Sequence, residues 1–238
     1  MDETSILERM MLFGLTRVEA GIYICLFKSG ELTGYEVAKQ TGISRSNVYS
    51  GLSGLVDKGG AYLIEGISSK YVAVPIEEFC DNKIRNMKRD KEFLVKNMPA
   101  VTAAEDGYIT IEGAKNIRDK ILTMLDNAKQ RIYLSAPESF IQSIETELLE
   151  TVRRKIKLVL ITDKDVGMSE TIQYLTDKKE NQIRLIIDSL YVLTGDIQGE
   201  KSDTCLYSGQ KNFVNVFKES LRNEIKLIEL TGGEKKDE

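Results

Sequence analysis

Residues 33–60, TGYEVAKQTGISRSNVYSGLSGLVDKGG, leave the backbone few choices. Thr33 followed three residues later by Glu36 is a capping-box pattern, so a helix opens there and runs to about Gln40. Thr41-Gly42 makes a turn. Ser44 is a capping residue for a second helix, whose apolar Val48, Leu52, Leu55 and Val56 fall on one face. Gly59-Gly60 ends it. Two helices separated by a three-residue glycine turn must cross at an angle, which is a helix-turn-helix. The outward face of the second helix carries Arg45, Asn47, Tyr49, Ser50 and Ser53, which are hydrogen-bonding side chains. Gly51 and Gly54 each cost about 1 kcal/mol relative to alanine inside a helix; close helix packing is the first reading of them and close approach to a DNA backbone the second.

The flanks complete the unit. Ile6, Leu7, Met10 and Met11 are spaced as one helix face. Thr16 and Glu19 repeat the capping box and open a helix through Phe27 that Gly30 closes. Residues 61–74, AYLIEGISSKYVAV, read as two short strands around Gly66 and Ser68-Ser69. Three helices, a recognition-type helix and a hairpin make a winged helix-turn-helix over residues 1–74, with double-stranded DNA as the expected partner. Arg45 and Asn47 have the paired donors and acceptors that match base edges. Ser44, Ser46, Tyr49, Ser50 and Ser53 suit phosphates or bases, and Ser68, Ser69 and Lys70 place the hairpin at the neighbouring backbone. The competing reading is a solvated helix in a protein-contact domain.

Composition limits the alternatives. The net charge of −4 requires any DNA-binding surface to be local. Cys25, Cys80 and Cys205 are odd in number and widely spaced, which fits a reducing compartment and neither a disulfide framework nor a cysteine-ligated metal. The chain contains no histidine. That removes Ser-His and Cys-His nucleophiles, histidine-ligated zinc and histidine phosphotransfer. No cofactor and no catalytic residue is expected. No apolar run spans a bilayer and the start, MDETS, is acidic, so a cytoplasmic location is expected.

Residues 75–100 read as a linking helix between Pro75 and Pro99. Cys80, Ile84, Met87, Lys91, Leu94 and Met98 follow the alternating three- and four-residue steps of a heptad seam, and a short two-stranded coiled coil would make a homodimer. The alternative is an amphipathic helix packed on its own domain. From about residue 101 onward, strands and helices alternate, which predicts an α/β domain with a largely parallel sheet. Strands are expected at 107–113, 130–136, 155–163, 182–188, 191–195 and 203–209. Helices are expected at 114–128, from Pro137 to about Arg153, near 169–177 and at about 210–226. Ser135, Asp163, Asp188, Tyr191 and Asp196 lie at or near strand ends, where ligands of such sheets sit. They are the candidate effector-binding residues, with Asp165 close by.

The order of these parts resembles the TrmB family of sugar-responsive transcriptional regulators. The residues that carry the likeness are LTGYEVAKQTGISRSNVYSGLSGLVDKGG, the YVAVPIEEF exit from the wing, the linking helix, and an α/β domain similar to phospholipase D. The likeness implies an α+β multidomain chain: an operator-binding winged helix-turn-helix, a coiled-coil dimer helix, and a C-terminal domain that binds a small-molecule effector, often a sugar. It also raises an enzyme alternative, because phospholipase D uses a His-x-Lys-x-x-x-x-Asp motif. With Asp188 at the motif aspartate, Asn181 and Ile183 stand where the histidine and lysine belong, and neither performs that chemistry. A ligand-independent DNA-binding protein is the third reading.

Overall fold

The computed structural model describes residues 3–99, 107–177, 181–231 and 235–236. The chain divides into two compact units, residues 1–100 and 101–238.

The first unit is built from α1 (Glu3–Leu12), α2 (Arg17–Ser29), α3 (Gly34–Thr41), α4 (Arg45–Asp57) and α5 (Ile76–Asn97), with a small sheet of β1 (Leu32–Thr33), β2 (Ala61–Ile64) and β3 (Lys70–Ala73). Both capping boxes form, Thr16 with Glu19 and Thr33 with Glu36, and Gly42 closes α3 in the left-handed conformation that glycine adopts without penalty. Val37, Val48, Leu52 and Leu55 are fully buried against Ile22, Tyr23 and Leu26 of α2. The sheet has the order β1-β3-β2, all antiparallel. Two residues, Leu32 and Thr33, therefore add a third strand that sequence patterning is too short to show. Tyr23 Oη donates to the Val74 carbonyl at 2.6 Å and fixes the exit from the hairpin. Pro75 then sits at the N-cap of α5, one position before the first helical residue.

The second unit carries an eight-stranded sheet of order β11-β7-β6-β5-β8-β9-β10-β4. Its strands are β4 (Ile109–Glu112), β5 (Arg131–Ser135), β6 (Lys157–Thr162), β7 (Ile172–Leu175), β8 (Gln182–Ile187), β9 (Tyr191–Asp196), β10 (Thr204–Ser208) and β11 (Lys235–Lys236). Helices α6 (Ala114–Asn127), α7 (Glu138–Ser143) and α8 (Glu145–Arg153) supply side chains to one core cluster, and α9 (Lys211–Thr231) supplies a second. Strand alternation sorts the two: Ile132 and Leu134 enter the first core, and Tyr133 packs on the second.

Four expectations are corrected. The sheet is mixed: among the described residues only β5-β6 and β6-β7 run parallel. Strands β8, β9 and β10 follow one another antiparallel, because β8 and β9 are joined by a three-residue turn, Asp188 to Leu190, that no parallel pair can use. The helix expected near 169–177 is instead strand β7. Ile172 and Tyr174, branched and aromatic at alternate positions, pack on the α9 side beside β6. The single helix expected from Pro137 to Arg153 is two helices, broken at the buried Ile144, whose φ of −124° is not helical. The last helix also extends past residue 226, to Thr231.

Candidate nucleic-acid interface and ligand cavities

Helix α4 is held from behind by two glycine contacts. A Cβ on Gly51 would stand 2.6 Å from Ile22 Cδ1, and one on Gly54 would fall on Glu19 Oε1. The close helix packing expected from the sequence is therefore what these glycines serve. Glu19 is 7% exposed. Its carboxylate accepts the Thr16 amide at 2.6 Å and the Lys58 ammonium at 2.7 Å, so one side chain caps α2 and fastens the end of α4. Burial pushes the Glu19 carboxyl up, but Lys58 and the amide and hydroxyl of Thr16 outweigh it and leave the group below its ordinary value.

With its back so fixed, α4 presents Arg45, Ser46, Asn47, Tyr49, Ser50 and Ser53 to solvent, and Ser68, Ser69 and Lys70 are exposed on the wing. Ser44 is exposed as well, and its Oγ accepts the Asn47 amide at 3.5 Å as the N-cap. Two of the outward side chains are aimed by α3, which the sequence did not reveal. The Tyr49 ring lies over Gly34, where a Cβ would stand 2.6 Å from it. The Arg45 guanidinium sits 4.6 Å from the Tyr35 ring centroid, a cation–π contact. Lys70 faces Glu31 at 3.6 Å, an exposed pair that contributes little to stability. Beyond the wing strands Ile67 is wholly exposed at the hairpin tip.

On α5, Phe79 is the buried anchor and Cys80 is half-buried. From there the seam residues Ile84, Met87, Lys91, Leu94 and Met98 are all exposed in the single chain.

The five effector candidates do not share one place. β5 and β6 end where β8 begins, because β8 runs antiparallel to β5. Ser135, Asp163 and Asp196 thus lie toward one edge of the sheet, and Asp188 and Tyr191 toward the other. Ser135 is buried, and its Oγ has no hydrogen-bond partner among the described residues. Asp163 accepts the Glu138 amide at 2.8 Å and so holds the start of α7. Asp188 accepts three amides, of Lys129, Gln130 and Arg131, at 2.8, 2.8 and 2.9 Å. Burial raises the Asp188 carboxyl, and the amides of Arg131, Lys129 and Gln130 bring it below its ordinary value. Asp188 and Ser189 both have positive φ, 51° and 56°, and form the tight turn between β8 and β9. The amides offset the strain of that turn.

The same strand direction removes the motif alignment considered above. Asn181 and Asp188 flank the six residues of β8, about 20 Å apart for an extended strand, and Ile183 between them is fully buried. They cannot meet at one phosphorus.

Two cavities of the second unit lie toward these edges. One, of about 340 Å³, is lined by Arg118, Ser139, Asn181 and Gln198 among others. The other, of about 430 Å³, is lined by Asp188 and Tyr191 together with Lys120, Thr123, Asn127 and Tyr207. In the second, Tyr191 and Tyr207 stack with centroids 5.7 Å apart, and the Lys120 ammonium stands 3.8 Å from the Tyr207 centroid.

A winged helix-turn-helix unit followed by a mixed α/β unit with polar cavities defines a two-part protein with a candidate DNA face and a candidate ligand domain. Residues 10–77 match the family model described as "Sugar-specific transcriptional regulator TrmB", and residues 107–200 match "Transcriptional regulator TrmB, EBD N-terminal subdomain". The chain belongs to the TrmB family. It is 28% identical over 167 residues, 68% of this chain, to the uncharacterized protein YrhO of Bacillus subtilis. It is 27% identical over 168 residues to the HTH-type sugar sensing transcriptional regulator TrmBL1 of Pyrococcus furiosus, again 68% of this chain. The matched segments make up 60% and 49% of those two relatives, so the chain spans about half or a little more of their length. Among solved structures, that of TrmBL2, an archaeal chromatin protein, aligns with 98% of this chain and 100% of its own, at 20% identity and a TM-score of 0.46. No single helix among the described residues is long and apolar enough to cross a membrane.

Proposed function

We propose that this chain is a ligand-responsive, DNA-binding transcriptional regulator and not an enzyme. The observation that carries the reading is the outer face of α4. Arg45, Asn47, Tyr49, Ser50 and Ser53 are exposed on a helix whose back is fixed by two glycine contacts. Two of the five, Arg45 and Tyr49, are aimed by α3. Such a helix fits a major groove, and the wing serine pair with Lys70 fits the adjacent phosphates. The exposed heptad seam of α5 pairs two copies, so that two α4 helices meet successive half-sites of an operator about 34 Å apart. A regulator of this kind works in the cytoplasm.

The effector is a small polar molecule, in keeping with the sugar named in the family description. Its site is the cavity walled by Tyr191 and Tyr207, where an aromatic surface stands beside Thr123, Asn127 and two lysines. Sugars are held by that combination of flat apolar wall and hydrogen-bonding rim. Binding there changes DNA affinity only in so far as the effector prefers one of two states of the dimer.

The test is a gel shift on operator DNA selected from a random pool, with and without a panel of neutral sugars. Sequence-selective binding that one sugar changes by about 5- to 150-fold, and that Asn127→Ala blunts without altering sugar-free binding, is expected. Absence of any sequence preference overturns the regulator reading.

A further inference from the structure

On the far face of the same sheet is a third cavity, of about 360 Å³, and its walls are cationic. Arg131 enters from the start of β5, and Lys218, Arg222 and Lys226 from α9. The three helical cations are spaced four residues apart, so they stack on one face, where like charges repel. Among the described residues none of the four has a hydrogen bond from its side chain or an ion pair. Arg184 on the neighbouring β8, by contrast, pairs with Glu224 at 2.8 Å. Glu229 at the rim accepts from Tyr174 Oη at 3.4 Å. Against four cations the cavity wall carries one carboxylate, Glu229, so its lining is net positive in a chain of net charge −4.

Beneath the cations the floor is apolar: Tyr133, Ile186, Leu221 and Ile225. Ile186 and Leu221 are fully buried, so the floor is part of the core and not an adjustable loop. Converging cations over a fixed apolar floor suit an anion with an uncharged body. The volume is that of a small-molecule site and is too confined for a duplex.

We infer that this cavity binds a phosphorylated small molecule, with the phosphoryl group among Arg131, Lys218, Arg222 and Lys226 and the uncharged body on the floor. A phosphomonoester carries about −1.5 to −2 charge at neutral pH, and arginine presents a planar fork to its oxygens. The site is distinct from the tyrosine-walled cavity, which lies on the α6 side: the two share no lining residue, and at the β8–β9 turn Asp188 lines one and Ser189 the other.

The experiment is calorimetric titration of the full chain with glucose 6-phosphate and with ADP, against glucose and sodium sulfate at matched ionic strength. No DNA is present, so the result is independent of the regulator reading. At least one phosphorylated probe should bind saturably at one site per chain and raise the melting temperature, and the two probes separate a sugar phosphate from a nucleotide. Arg222→Gln with Lys226→Gln, both exposed, should weaken it tenfold or more, as should Lys218→Gln alone, while Lys211→Gln on the same helix changes nothing. Saturable binding that survives all three changes overturns the assignment. So does failure of both probes to bind, or a loss of DNA affinity in the double variant without any probe binding, which would give these cations to the DNA backbone.

Discussion

Glu19 and Gly54 occupy one space: the carboxylate of α2 lies where a side chain on α4 would begin. The glycine lets Glu19 cap its own helix and reach Lys58 four residues beyond Gly54. Gly54→Ala would gain about 1 kcal/mol in helix propensity. It would lose more by driving the carboxylate off Lys58 and Thr16, for a net cost of about 1–3 kcal/mol. Urea unfolding measures it. In a Glu19→Ala background the same change should cost much less, since the two effects share one contact.

The proposed readout of DNA uses side chains the fold can spare. Arg45→Ala and Asn47→Ala should each weaken specific binding by about 1–3 kcal/mol and leave the melting temperature unchanged. Lys70→Ala should weaken all sequences alike and lower the salt slope by about one. Tyr35→Ala, which removes the ring beneath Arg45, should reduce specificity at the base Arg45 contacts without touching DNA itself. Gel shifts over a range of salt concentrations separate these outcomes.

Acid sensitivity follows from Asp188. Its carboxyl titrates below the ordinary value in the folded chain. The stability it contributes is therefore complete above the unfolded-state value and is lost as pH falls through the folded one. Asp188→Asn should cost about 1–3 kcal/mol near neutral pH, from weakened hydrogen bonds to a charged acceptor. The gap between variant and parent should close toward about pH 3, where the aspartate in the unfolded chain is already protonated. Denaturant midpoints at the two pH values test the sign.

The proposed assembly surface is the stripe on α5. Ile84→Asp with Leu94→Asp places two carboxylates on the proposed seam, where neither finds a partner. Light scattering should report a monomer, and operator affinity should fall far more than any single contact explains, because the two half-sites are no longer linked. A double variant that stays dimeric would move the interface elsewhere.

The winged unit was legible because its signals are local. Thr16, Thr33 and Ser44 cap helices within three residues of their partners, and Gly42 ends one on the spot. Gly51 and Gly54 announced close packing, but not what would pack there. Beyond residue 101 the signals are alternation and strand ends, and alternation gives a face without giving a direction. Asp188 and Ser135 looked equivalent as residues at strand ends, yet β8 runs opposite to β5 and sets them at opposite edges. The cationic cavity was invisible for a related reason. Lys218, Arg222 and Lys226 lie on the last helix, far along the chain from Arg131, and only the fold brings Arg131 to them.

The placement of β5 between β6 and β8 has a consequence in time. β6 follows β5 within a few dozen residues and pairs with it, and β7 then pairs with β6, but Ile132 must wait for Ile187 before the other edge of β5 is covered. During synthesis from the N-terminus, the helical first unit can be finished while β5 still presents an open edge, and open edges invite wrong partners. The three amides that Asp188 gathers from Lys129, Gln130 and Arg131 close that interval. Refolding of the second unit should be the slow phase, as distant pairings are, with Asp188→Asn lengthening it and leaving the first unit's rate alone.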